Sequence, residues 1–167
     1  MKERFRRVLF GSPETMAGTV YGTIVVLATL TAGSAGKQGA AWELAVIVTV
    51  TVLVLWVAHF YSHALAESLE RGRRLDRAEL VSVARRELAI PGAALAPIAV
   101  LVLGALGVLR ERTAIWLAIA IGIATLAVEG ARFAALEKVS RGWRVVVVAL
   151  NILLGLSIVG LKVLLSH

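Results

Sequence analysis

The sequence predicts an all-α, multi-pass integral membrane protein with five transmembrane helices, its N-terminus cytoplasmic and its C-terminus outside. Three observations predict it. Of 167 residues, 59% are hydrophobic and 17% charged, with mean hydropathy +0.84, which is more apolar surface than a soluble domain of this length can bury. The apolar residues form five uninterrupted runs, each near the ~20 residues that cross a bilayer as a helix. Lys and Arg fall between the runs in an alternating heavy and light pattern. The chain reads as one transmembrane domain over residues 1–167, with no long linker, low-complexity tract or second domain.

The spans run from Pro13 to Gly33, Ala41 to Ala66, Leu88 to Leu109, Thr113 to Ala135 and Arg144 to Leu165. Continuous apolar composition rather than amphipathic period marks each one. The breaks carry the expected punctuation: "AGSAGKQG" before the second span, "IPG" opening the third, "LRERT" before the fourth and "SRGWR" before the fifth. Pro97 falls inside the third span and predicts a kink there. The glycines of "LGALG" and "LLGLSIVG" predict close helix approach, and Trp42, Trp56, Trp116 and Trp143 predict interfacial anchors.

Orientation follows from the basic residues. Lys2, Arg4, Arg6 and Arg7 precede the first span, and Lys37 alone follows it. The basic connection over residues 67–87 holds Arg71, Arg73, Arg74, Arg77, Arg85 and Arg86. Arg110 and Arg112 lie in the next break, Lys138, Arg141 and Arg144 in the one after, and Lys162 near the end. Positive charge inside places the heavy breaks in the cytoplasm, as expected for a bacterial plasma membrane protein. An alternative takes the basic start as a signal peptide cleaved at "TAGSAG", but Pro13 and Glu14 interrupt the join between charge and apolar run.

The net charge of +7 lies in the breaks, where it suits the bilayer's anionic lipid headgroups better than nucleic acid. The six arginines of the long connection are the expected headgroup contacts. There are no cysteines, which removes disulfides, thiolate metal sites and cysteine nucleophiles.

His59, His63 and Glu67 recur every four residues at the end of the second span, so they share one drifting stripe of the helix. At 1.5 Å per residue, His59 lies about 24 Å along the span from Glu43, near the cytoplasmic boundary. Glu14 opens the first span, with Thr19 and Tyr21 a turn or two deeper. Glu129 and Arg132 lie in the inner third of the fourth span, within pairing reach, and Asn151 about two turns into the fifth. All fall in the cytoplasmic half. The sequence therefore predicts one polar cavity open to the cytoplasm, with Glu14, His59, His63 and Glu67 as a metal or proton site. Thr19, Tyr21, Glu129, Arg132 and Asn151 form its secondary lining. Each has a structural alternative: interfacial hydrogen bonding for the histidines, a headgroup charge for Glu67, an ion pair for Glu129 with Arg132, and interhelical contact for Thr19, Tyr21 and Asn151.

The layout resembles the vacuolar iron transporter family: five spans, N-terminus in, and the longest basic connection after the second. That family opens its first span with Gly-x-x-Asp-Gly, where "GSPET" has Gly11, Glu14 and Thr15. It ends its second with Ser-Met-x-x-Gly-Glu-Tyr, where "SHALAES" has Ser62, His63, Ala66, Glu67 and Ser68. The resemblance implies that Glu14 and Glu67 are metal- and proton-handling carboxylates and that His63 replaces a methionine ligand. Two departures stand out. The connection lacks the family's acidic helical bundle, and imidazole is a harder ligand than thioether.

Imidazole with carboxylate suits a divalent transition metal such as Fe, Mn or Zn, and deprotonation of the ligands couples its binding to proton release. No resident cofactor is required. The leading expectation is thus a divalent cation/proton exchanger; the alternatives are a proton or ion channel and a non-transporting subunit docking lipid or protein through its basic connection. No nucleophile–base pair suggests an enzyme. Small residues in the first, third and fifth spans predict a homo-oligomer, most simply a two-fold dimer.

Overall fold

The computed structural model describes residues 13–34, 40–137 and 140–165, with side chains at 15–34, 40–137, 140 and 142–160. Lys2, Arg4, Arg6, Arg7, Lys37 and Lys138, and the side chains of Glu14, Arg141 and Lys162, lie outside the described residues. The described chain is all helical: α1 (Pro13–Gly33), α2 (Ala41–Arg71), α3 (Arg77–Arg86), α4 (Ala89–Ala105), α5 (Glu111–Leu136) and α6 (Arg141–Leu165). Four of these are long and apolar enough to cross a membrane, or five if the bent pair α3–α4 is one span.

The expected apolar runs fall in α1, α2, α4, α5 and α6, and the second and third differ most in extent. The second helix does not stop at Ala66 but runs to Arg71, where Gly72 caps it at φ 63° and its N–H bonds the Leu69 carbonyl. That left-handed geometry suits glycine, which lacks the Cβ that penalises it. The third apolar helix covers only Ala89–Ala105, shorter than the expected run to Leu109. Gly107, at φ 74°, turns the chain there.

The basic connection is itself structured. Asp76 caps α3 by accepting from the Glu79 N–H, while Glu79 accepts from the Asp76 N–H, a reciprocal capping box at 2.8 Å in both directions. A 47° bend separates α3 from α4. It falls at Glu87–Leu88, whereas α4 continues through Pro97.

Helices α1 and α4 form the centre: α4 touches α1, α2 and α5, and α1 also meets α5 and α6. Inside lipid such contacts rest on close packing, because lipid tails are as apolar as the side chains. Small residues make the approach possible. A Cβ on Gly22 would lie 2.5 Å from the Ile90 carbonyl oxygen, and one on Gly18 would lie 3.0 Å from the Ala89 Cβ. At the opposite end, Gly104 faces Ala114 and Ala41. Gly155 packs against Leu126 and Ile123, whereas Gly107 and Gly160 meet nothing within 4 Å among the described residues. Of the glycines expected to permit close approach, Gly104 and Gly155 do so; Gly107 serves a turn.

Leu27, Leu30, Leu44, Val48 and Leu101 are fully buried, forming an aliphatic layer at the end where α1 finishes and α2 begins. Outward-facing Val50, Leu53, Val54 and Val57 leave α2 with an apolar exposed face suited to lipid. Trp42, Trp116 and Trp143 stand exposed near helix ends, as anchors do.

Gly22→Ala forces the Ile90 backbone to move and should destabilise the bundle by about 1–3 kcal/mol, the usual scale of overpacking. Gly92→Ala, with open space before it, should be neutral or stabilising by about 0.5–1 kcal/mol. Thermal unfolding of both variants in one detergent checks the contrast; equal melting temperatures would refute the close α1–α4 contact.

Candidate functional site

A cleft of about 580 Å³ opens where α1 starts, α2 ends and α3 bends into α4. Ala17, Gly18 and Tyr21 form its α1 wall, while His59, His63, Glu67, Glu70 and Arg71 line it from α2. Arg86, Glu87 and Ile90 close the α3–α4 side. The four-residue spacing on α2 does put His59, His63 and Glu67 on one wall. Their roles differ.

His59 is partly buried. Its Nδ1 lies 3.2 Å from the Leu55 carbonyl, and its ring sits 4.9 Å from the Tyr21 ring on α1. The His63 ring lies 6.3 Å from that of His59 and is more open, with 60% of its side chain exposed. His63 Nε2 approaches Glu87 Oε1 at 3.9 Å. Sequence spacing gave no sign of Glu87: it is twenty-four positions from His63 and reaches it only because the chain folds back through α3.

Glu67 is held by two guanidiniums, Arg71 at 2.5 Å and Arg86 at 2.9 Å. Both oxygens are engaged, and the second arginine comes from nineteen residues away. Arg86, expected at the headgroups, therefore reaches back to α2. Arg71 also pairs with Glu79, and Arg73 grips the same carboxylate with bonds of 3.0 and 2.7 Å. Trp56 completes the join by donating Nε1–H to the Ala84 carbonyl at 3.3 Å. Its expected anchor role becomes a helix-to-helix tie. Among the described residues, Arg74, Arg77 and Arg85 have no carboxylate within salt-bridge distance, which separates them from the three paired arginines.

The expected single cavity is two. Glu129 and Asn151 line a second cleft of about 550 Å³ between α1, α5 and α6; Ala17 and Tyr21 belong to both. Glu129 pairs with Arg132 at 2.6 Å. Thr19 lines neither cleft, and its hydroxyl donates to the Thr15 carbonyl in its own helix. Asn151 likewise donates to Val147 within α6, while its side chain packs against Gly130 of α5. The division arises because α1 stands between α2 and α5, a position that polarity along each helix does not encode.

Among the described residues, no three His, Asp or Glu side chains are arranged to hold a metal ion. Glu14 is in α1, with its side chain outside the described residues. Comparison with protein-family models, with curated proteins and with solved structures gives no match. The cleft's own geometry therefore carries the functional reading.

The hydrogen bond from Arg73 is the main cause that lowers the Glu79 carboxyl to about 2, with the Asp76 backbone N–H second. A depressed folded pKa gives stability that is present above the unfolded carboxylate range and lost as pH falls through the folded value. The cap on α3 should thus persist through pH 4 and loosen near about 2, followed by carboxyl NMR shifts of Glu79. Glu79→Gln should speed hydrogen exchange of α3 amides while α2 before His59 stays protected. Unchanged α3 exchange would deny Glu79 that role.

Proposed function

We propose that this chain is a small secondary transporter of the bacterial plasma membrane, exchanging a divalent metal cation for protons through the His59–His63 cleft. The observation that carries this reading is the juxtaposition of two imidazoles with Glu87, 3.9 Å from His63, in a cleft at one end of an apolar bundle. Ionisable groups at membrane depth are costly and are generally kept for a pathway or a partner. The aliphatic layer at the other end suits a carrier that opens to one side at a time.

His63 and Glu87 supply the first nitrogen and oxygen ligands. Glu67, one turn beyond His63, supplies another when an entering cation takes over the neutralising role of Arg71 and Arg86. His59 joins them, and the resemblance to vacuolar iron transporters at "GSPET" and "SHALAES" implies Glu14 as a further carboxylate. Ligands that give up protons on binding a cation return them on release, which couples the two fluxes. The cation is the substrate; Fe, Mn and Zn all suit nitrogen with oxygen.

Alternating basic breaks support an N-in, C-out arrangement of five spans, with the bent α3–α4 pair counted as one. The unpaired Arg74, Arg77 and Arg85 then face anionic headgroups. Two copies forming a dimer would use small residues with open space before them, such as Gly142 and Gly160 of α6. Mass photometry in nanodiscs should give the dimer mass; a monomer would remove that part of the proposal. Cysteines at Ser34 and Arg110 should take an impermeant maleimide from outside intact cells, and one at Ser82 should not. The reverse pattern would overturn the orientation.

Flux decides the function. Proteoliposomes loaded with a pH-sensitive dye and given Mn, Zn or Fe(II) should show cation uptake with opposite proton movement. His63→Ala and Glu87→Gln should each reduce uptake to near background while protein yield and melting temperature hold. Arg86→Gln, which releases one Glu67 oxygen, should tighten cation binding. Wild-type uptake in the His63→Ala, Glu67→Gln double variant would end the exchange reading. Proton movement without any cation would favour the channel.

A further inference from the structure

The second cleft has walls that the exchange proposal leaves unused. Met16, Val20 and Ile24 of α1 and Phe133 of α5 make it mainly apolar. Glu129 lies in it almost fully buried, at 4% exposure. One carboxylate oxygen, Oε1, accepts from Arg132 at 2.6 Å; the other, Oε2, is buried without a hydrogen-bond partner among the described residues. The Asn151 amide, on the same cleft, donates to the Val147 carbonyl at 3.0 Å.

A carboxylate oxygen withdrawn from water and left without a donor is unfavourable, so the cleft favours a ligand that brings a donor over one that is only apolar. The walls also specify its charge. Glu129 and Glu137 both line the cleft, and no lysine or arginine does among the described residues. Arg132 meets the carboxylate from outside the lining. An ammonium N–H satisfies Oε2 and complements these walls, while the apolar surfaces suit a hydrophobic body.

We propose that this cleft binds a hydrophobic organic ammonium ion, with its N–H donated to Glu129 Oε2 and its apolar body packed on Val20, Ile24 and Phe133. An aminophospholipid also offers an ammonium group, but it carries a phosphate beside it, and the carboxylate of Glu137 disfavours that anion. The free amine is the better match. The proposal is independent of any cation exchange at His59 and His63.

The test uses the full chain in phosphatidylcholine nanodiscs, titrated with dansylcadaverine, a primary ammonium on a naphthalene body. Wild type should bind it saturably above empty nanodiscs. Glu129→Gln should weaken binding about tenfold or more, and acetylating the amine of the probe should do the same, as loss of a charge-assisted hydrogen bond predicts. Phe133→Ala, on a wall residue that is 47% exposed and thus tolerant of truncation, should weaken binding severalfold with the melting temperature retained. If Glu129→Gln does not fold, the acetylated probe and Phe133→Ala decide. Equal binding by wild type and Glu129→Gln, equal affinity for the acetylated probe, or no saturable binding would overturn the proposal. Loss of probe binding in phosphatidylethanolamine nanodiscs would assign the cleft to a lipid ammonium and overturn it too.

Discussion

The approach of α1 to α4 at Gly22 is the contact on which the other features depend. There is no room between Gly22 and the Ile90 carbonyl for a side chain. In a membrane, where burial of apolar groups gives helices little reason to prefer each other over lipid, such intimacy is a main source of pairing specificity. It also places the residues that line the clefts. Ile90 and Gly18 line the histidine cleft from opposite helices, and Tyr21, next to Gly22, meets His59 across the helix boundary. Moving α1 outward by the width of a methyl group would change the α1 wall of both clefts, because Ala17 and Tyr21 belong to each.

A second constraint is electrostatic and holds the cleft's other wall. Glu67 joins neighbouring turns of α2 to the end of α3, while Glu79 joins α3 back to Arg71 and Arg73. Exposed ion pairs contribute little singly, but a network with bidentate arginine geometry fixes orientation. The Trp56 bond to Ala84 adds a partly buried link between the same helices. Together with the buried side chain of Val83, these explain how the ten residues of α3 hold a defined place beside the spans. The carboxylate that a four-residue spacing marks as a ligand is thus also the pin for this helix. Any ligand role for Glu67 therefore competes with a structural one.

Sequence made the helical class and the places of the apolar helices legible, because continuous hydropathy is a local property. It marked the start of α1 at Pro13 and the shared stripe of His59, His63 and Glu67, since helical period relates neighbours directly. Pairing between elements was less accessible. Glu87 reaches His63, and Arg86 reaches Glu67, only through the turn at Gly72 and the bend before α4. Some missed signals were nevertheless present. Asp76 and Glu79 have capping-box spacing, and Gly18 and Gly22 are four apart on a helix, where both can face one neighbour. The split into two clefts had no such signal. It follows from which helices flank α1, and that order is decided by packing over the whole bundle.

The same packing produces the molecule's asymmetry. His59, His63, Glu67 and Glu129 all stand toward the end where α1 and α4 begin, whereas Leu27, Leu30, Leu44 and Leu101 are fully buried toward the other. The threonines of α1 reinforce this separation: Thr23, Thr29 and Thr31 turn their hydroxyls back to carbonyls of their own helix. Their hydroxyl protons are thus used within α1 rather than offered across the aliphatic layer. An ion entering from the polar end would lose its partners there and meet mainly aliphatic side chains, which cannot replace its hydration. Any passage through this arrangement would therefore require the helices to rearrange around α1, and the tight Gly22 contact that organises the bundle restricts the movements open to it.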